Sequence, residues 1–331
     1  MFRNARLLLI PLLIGGLACT AASKEIIDPE EAKADPDFAI QGEYVGELTD
    51  ADGQKHKVGC QVIARGGGQF EMLALPGGLP GDGWKRGDKS FRNQGKLENG
   101  SMTVTSDEGI TYNLKFADGT MNVRTADGRM DVTLKRVERK SPTLGAKPPE
   151  GALVIFDGKK LDMLEGDVKS HLAKDGLVSG VTTKALPNDY TLHLEFRLSW
   201  MPEARGQGRS NSGVYLYDCY ECQVLDSFGL EGYDNECGGF YQVRKPDVNM
   251  CLPPLVWQTY DVDFTAPKYE DGKKVANARV TVRHNGVVIH DDIEFKSGTP
   301  GRQGEGPGPR GIHLQGHGNM VLYRNIWVQA K

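Results

Sequence analysis

Residues 220–226, YECQVLD, place Glu221, Gln223 and Asp226 in one short segment whose other members are apolar or aromatic. A carboxylate held in such surroundings can take or give a proton near neutrality, and an amide beside it can hold a hydroxyl. In an extended strand Glu221 and Gln223 share one face, while Tyr220, Cys222 and Val224 share the other. Asp226 falls on the wrong parity for Glu221 and joins it only if a bulge shifts the register. Downstream, GIHLQGHGN (311–319) sets His313, Gln315 and His317 at period two, with His317 between two glycines whose backbone a ligand can approach. Upstream, GRSNSGVYLYD (208–218) supplies Arg209, Asn211 and Ser212, groups suited to sugar hydroxyls. In ECGGFYQ (236–242), Tyr241 follows a double glycine and suits a platform for a sugar ring. Each feature has a plainer structural reading: a solvated strand face, turn chemistry at Asn211 and Ser212, a core tyrosine, glycines that only serve a tight turn. Ser212 lacks a nucleophile elbow, and the glycine loops open no helix, which excludes serine-hydrolase chemistry and phosphate cradling.

The elements that must carry these residues read as short strands. From residue 152 onward come ALVIF, YTLHLEFRL, NSGVYLYD, YECQVLD, TYDVDFT, ARVTVRHNGVVIHDDIEF, GIHLQ and VLYRNIWV, with His284-Asn285-Gly286 as a hairpin turn. About ten short strands without long helices predict a sandwich of two antiparallel sheets. SGTPGRQGEGPGPRG (297–311) is too rich in glycine and proline for regular structure and reads as a long surface loop. Residues 38–139 show a second set of alternating segments separated by turn signals such as Asn99-Gly100 and Asp118-Gly119. They predict a smaller, accessory antiparallel β-domain. The stretch SPTLGAKPPEG (141–151) reads as a linker, placed at 140–150, with the larger domain over 151–331.

Composition narrows the function class. The 331 residues are 25% charged with a formal net charge of −4, and the basic runs lack interleaved aromatics, so nucleic acid is not an expected partner. Arg3 and Arg6, the run LLLIPLLIGGLA and the small residues CTAAS form the three regions of a signal peptide over 1–22, so the protein is expected to be exported to the periplasm or the medium. Lipidation of Cys19 is the competing reading and would supply the one expected membrane contact. In an oxidising compartment Cys219, Cys222, Cys237 and Cys251 are expected to form two local disulfides with Cys60 left over; a zinc site is the disfavoured rival, because only Cys219 and Cys222 form a C-x-x-C hook.

Two resemblances refine the picture. The acid spacing i, i+2, i+5 matches the E-x-D-x-x-E strand of retaining β-glucanases with a concanavalin-like jelly roll, although Gln223 stands where the middle acid would be. More extensively, LVIFDGKKLD, NSGVYLYDCYECQVLDSFG, ECGGFYQ, LPPLVWQTYDVDF, RVTVRHNGVVIHDD and GIHLQGHGNMVLYRNIWV together, from about residue 152 to the C-terminus, resemble the 3-keto-disaccharide hydrolases, formerly domain of unknown function 1080. The resemblance implies an all-β, concanavalin-like jelly roll that cleaves 3-keto-glucosides by elimination and hydration. That chemistry needs a base, an acid and donors to hydroxyls or an enolate; residue type assigns the base to His317 or Glu221, the acid to Asp226 or Glu221, and the donors to Arg209, Gln223, Gln315 and Arg324. Glu221, Asp226 and His317 also offer ligands to a divalent cation, though no spacing demands one and no cofactor is implied. A small saccharide is the expected partner. A non-catalytic carbohydrate-binding module and a retaining β-glucanase are the alternatives.

Overall fold

The computed structural model describes residues 24–50 and 52–331; the expected signal peptide (1–22), Cys19 included, lies outside the described residues. The described residues are all-β apart from short helical turns, and their strands fall into two units.

In the first unit eight antiparallel strands pair in the spatial order Phe91–Lys96, Gln69–Pro76, Lys55–Gly66, Gly42–Thr49, Asp131–Val137, Thr120–Thr125, Thr111–Ala117 and Ser101–Thr105. The turn signals act as expected. Asn99 and Gly100 (φ 52° and 75°) and Asp118 and Gly119 (φ 48° and 70°) adopt the left-handed geometry that suits the twist of a tight hairpin. The sheet rolls up until its outermost strands meet: Glu98 and Ser101 exchange backbone hydrogen bonds of 2.8 and 3.0 Å. Gly95 allows this approach, since an added Cβ would fall 2.6 Å from Met102 Cγ. The result is a barrel, with Tyr44, Val62, Phe70, Met102, Leu114 and Leu134 inside.

Two turns of helix, Pro29–Ala32 and Pro36–Ile40, are capped by Asp28 and Asp35 and plug one barrel end. Trp200 from the second unit is fully buried there. Its Nε1 donates to Asp35 Oδ2 (2.9 Å), and its ring meets Phe38 edge-on at 5.2 Å. On the barrel's outer face Ile63, Leu73, Leu75 and Leu79 pack on Phe228.

The second unit is a jelly-roll sandwich. One sheet runs Leu172–Ala173, Gly176–Val178, Leu322–Ala330, Tyr190–Arg197, Trp257–Thr265, Ala278–His284, Val287–Phe295, with Leu153–Phe156 also paired to Leu322–Ala330. The other runs Leu164–Glu165, Val181–Thr183, His313–Leu314, Asn211–Leu216, Tyr220–Leu225. Between them lies one large core, to which Val214, Leu216, Cys222, Val224, Val262 and Phe264 contribute by strict alternation.

Residues 141–146 cross the outer face of the larger sheet as a strap. Thr143 Oγ1 donates to Asp261 Oδ2 (2.6 Å), Gly145 N to Glu195 Oε1 (2.6 Å), and Asn325 Nδ2 to Ala146 O (3.0 Å). A segment whose composition reads as a spacer is thus hydrogen-bonded to buried polar groups along its length.

The expectation of disulfides is not met: Cys60, Cys219, Cys222, Cys237 and Cys251 are all free and buried. Cys219 sits in the turn after Leu216, against the 297–311 loop, whereas Cys222 faces the core on a strand. Cys237 contacts the Tyr260 hydroxyl (3.3 Å) and Cys251 packs near the Leu225 carbonyl (3.6 Å). Cys237 and Cys251 also touch each other as thiols, but none of the five is bonded in a disulfide, and they serve as small core residues.

Candidate functional site

Asn211–Leu216 and Tyr220–Leu225 form a hairpin whose register sets Tyr215 opposite Glu221 and Gly213 opposite Gln223. Tyr217 and Asp218 at the turn have φ of 54° and 51°. Directly paired residues project from the same face, so Tyr215, Glu221 and Gln223 lie together on the face away from the core. The neighbouring strand adds His313, paired with both Tyr215 and Thr182.

The ladder from Asn211–Leu225 to Leu216–Tyr220 runs without a bulge. Asp226 therefore keeps the parity of Cys222 and Val224, and its expected place beside Glu221 is not realised. It is buried just beyond the strand in an ion pair with Arg209, Nε to Oδ2 2.6 Å. That pair also removes Arg209 from the sugar-facing set, although Arg209 Nη2 stays buried without a hydrogen-bond partner.

Glu221 is the centre of the face. The residue is only 2% exposed, and its carboxylate accepts a hydrogen bond from the Tyr215 hydroxyl at 2.7 Å. Gly213 leaves the space that the carboxylate fills, for an added Cβ would overlap it. Burial pushes the carboxyl up to about 7, against the smaller opposing effect of the Tyr215 hydrogen bond. Gln315 Nε2 donates to the Tyr215 oxygen (3.3 Å), and His313 Nδ1 lies 2.8 Å from Thr182 Oγ1. Burial, reinforced by the nearby Arg302 charge, lowers the His313 pKa and favours the neutral ring. Gln223 Nε2 donates to Gln207 Oε1 (3.1 Å), which also accepts from Asn211 Nδ2 (3.1 Å). Two acceptors in this row, Gln315 Oε1 and Asn211 Oδ1, are buried without a partner. Such acceptors are costly unless a donor reaches them, and a sugar hydroxyl supplies one.

Irregular segments frame the face. The open edge of Tyr220–Leu225 is covered by residues 238–241, with Gln223 N donating to Gly239 O (2.8 Å) and Tyr241 N to Glu221 O (3.1 Å). Tyr241 is thereby held half-buried beside the site. The 297–311 loop is tied down more firmly than a free surface loop: Arg302 Nε and Gln303 Nε2 donate to the Asp218 carboxylate (both 2.8 Å), and Glu221 N donates to Thr299 Oγ1 (2.8 Å). Gly301, at φ 99°, passes so close that an added Cβ would fall 2.6 Å from the Tyr215 oxygen. His317 is exposed at the rim, in the turn after His313–Leu314.

Two further expectations are corrected. Ser212 has core parity; its Oγ donates to Gln315 O (2.6 Å) and meets the Tyr323 hydroxyl (2.8 Å), so it braces the strand instead of facing a ligand. Arg324 lies on the other sheet, its Nε donating to Glu195 Oε2 (2.6 Å) and its guanidinium 3.9 Å from the Trp257 ring centre. Nor do Glu221, Asp226 and His317 converge on a cation: among the described residues no group of three or more His, Cys, Asp or Glu side chains is placed to hold a metal. The residues passed over in the sequence are Tyr215, Thr182, Gln207 and Thr299. Of these Tyr215 had a signal, the NSGVY strand immediately preceding YECQ, but its partner became visible only with the hairpin register.

Comparison with known proteins follows the same division of the chain. The family model of the 3-keto-alpha-glucoside-1,2-lyase-like domain matches residues 151–329. A crystal structure from Parabacteroides distasonis, provisionally named a glycosyl hydrolase, superposes with a TM-score of 0.50 at 29% identity, over 55% of this chain and 85% of that one. A second structure from that organism with the same provisional name gives 0.39 and 19%, over 55% and 94%. No curated protein matches. Through residues 151–329 the chain belongs to the glycoside-processing family of 3-keto-alpha-glucoside-1,2-lyase-like domains.

Proposed function

We propose that the protein cleaves glycosides whose carbon 3 is a ketone, with Glu221 as the proton-transferring group. The ketone acidifies the proton on carbon 2. The Glu221 carboxylate takes that proton, and the electron pair moves into a carbon 2 enolate conjugated with the ketone. The enolate expels the oxygen substituent from carbon 1, which leaves as the alcohol after gaining a proton from the rim, where His317 stands. Water then adds across the resulting 2-hydroxyglucal, so the balance is hydrolysis. Gln223, Gln315 and Asn211 hold hydroxyls, and Tyr241 lies beside the ring.

The observation that carries this reading is a buried carboxyl with a pKa of about 7 on the polar sheet face, next to unpaired amide oxygens. The provisional name of the Parabacteroides relative agrees with it. The near-complete burial of Glu221 favours a second reading, a saccharide-binding module without turnover. Incubation with a 3-keto-glucoside and with unmodified β-glucan, followed through free aglycone and reducing sugar, separates the possibilities. Turnover of the 3-keto substrate alone, lost in Glu221→Gln, is the expected result. Binding without turnover establishes the module, and glucan cleavage a glucanase.

The same proposal includes export, supported by the charged, apolar and small-residue regions of residues 1–22. Mass spectrometry of the mature N-terminus in a bacterial host checks it: a start near Ser23 is expected, a lipid on Cys19 marks an anchored form, and an intact Met1 rejects export.

A further inference from the structure

The barrel of residues 42–137 is not filled. Inward-facing side chains at the end plugged by Trp200 are large and touch one another, but toward the opposite end they part around a cavity of about 230 Å³. Its floor is formed by Met72, Leu114, Met121 and Leu134, all buried. Its mouth is ringed by Val58, Phe91, Tyr112 and Met130, all at least partly exposed, with Phe91 at 47%. Packed protein interiors leave few voids larger than a water molecule, so a space of this size in a small barrel is unusual. An apolar cavity of roughly 150 Å³ already admits benzene while staying dry. Eight-stranded barrels elsewhere hold one small ligand in this position.

We infer that the lumen binds a small uncharged aromatic molecule, independently of the saccharide site. Size sets the first limit, because the space accommodates one or two fused rings and no peptide segment. Charge sets the second: among the described residues no Asp, Glu, Lys, Arg or His lines the cavity, so a carboxylate or phosphate would be desolvated without a partner. The lining sets the third. Met72, Met121 and Met130 offer polarizable thioethers, and Phe91 and Tyr112 offer ring faces and edges, contacts that favour an aromatic ring over an alkyl chain. Asn93 and Ser106 also reach the lining and can meet one polar substituent.

Calorimetric titration of the full chain with indole, with hexanol as the alkyl control, tests the inference. One saturable indole site is expected, with hexanol at least tenfold weaker. Val104→Phe and Ala74→Phe, which fill the lumen, should weaken indole at least tenfold while leaving the circular dichroism spectrum and glycoside turnover unchanged. No saturable indole binding, hexanol binding as tightly as indole, or unchanged affinity in both folded variants each overturns it. If the variants do not fold, the wild-type chain decides. Cys60 lines the same lumen, so indole must slow its alkylation by N-ethylmaleimide several-fold, read by mass spectrometry at that residue. Unchanged alkylation overturns the inference.

Discussion

Glu221 is a carboxyl whose ionised form the fold disfavours, and that has consequences for both rate and stability. As the base it must be ionised, so kcat/KM for a 3-keto-glucoside should rise with pH through about 7. A rate that falls through the same range would instead make Glu221 the acid. Glu221→Gln should cost about 10²–10⁴-fold in kcat, the usual worth of one positioned acid or base, and abolish that limb of the profile. Stability moves the other way. The folded-state value lies above the ordinary 4.5, so folding favours the protonated acid. Stability is therefore lost as pH rises from 4.5 through about 7, by about 3 kcal/mol if the shift is fully expressed. Denaturant unfolding across that range should show the decline in the wild-type protein and its absence in Glu221→Gln. Tyr215→Phe removes the one hydrogen bond that the described residues donate to the carboxylate and should move the rate limb to higher pH.

At the level of the element, strand parity was readable from YECQVLD alone: Glu221 and Gln223 do share a face, and the apolar residues do face a core. The bulge that would have added Asp226 does not form, and Asp226 has Arg209 as its partner instead, at 2.6 Å. Breaking that buried pair by Asp226→Ala should cost about 3–5 kcal/mol in denaturant unfolding, with kcat preserved in the protein that remains folded. A loss of turnover without a loss of stability would return Asp226 to the catalytic set. Gly213→Ala makes the reciprocal test. Its Cβ would displace the Glu221 carboxylate, so turnover should fall by about 10²-fold, the scale of a small misplacement of a reacting group. The cysteines and Ser212 were misread for a shared reason. Their roles depend on the contacts that folding brings to each side chain, in turns and irregular segments for Cys219, Cys237 and Cys251 and on strands for Cys222 and Ser212, and residue type does not encode that.

Across the whole molecule, the strap and the Trp200 plug join units that the sequence presents as separate. Trp200→Ala should cost about 3–5 kcal/mol and expose the barrel end, read as faster amide exchange at Ile26 and Ala32. Beneath the strap, burial opposes a charge on His193, but Asp261 and Glu195 outweigh it and raise its pKa to about 8. This contribution, about 2 kcal/mol if fully expressed, is present below pH 6.5 and lost as pH rises through about 8. Exchange at Gly145, whose amide donates to Glu195, should accelerate over that window.

The sequence by itself determined what is local: period-two alternation, the Asn-Gly and Asp-Gly hairpins, and the ordered motifs from residue 152 onward that mark the family. Such signals live within a few residues of one another, where backbone geometry and side-chain type suffice. Only the tertiary structure decided that Tyr215 meets Glu221, that Arg324 belongs to the opposite sheet, that residues 141–146 bind a polar network, and that the barrel keeps a hollow. These depend on register and on contacts between strands far apart in the chain, which packing of the whole core selects.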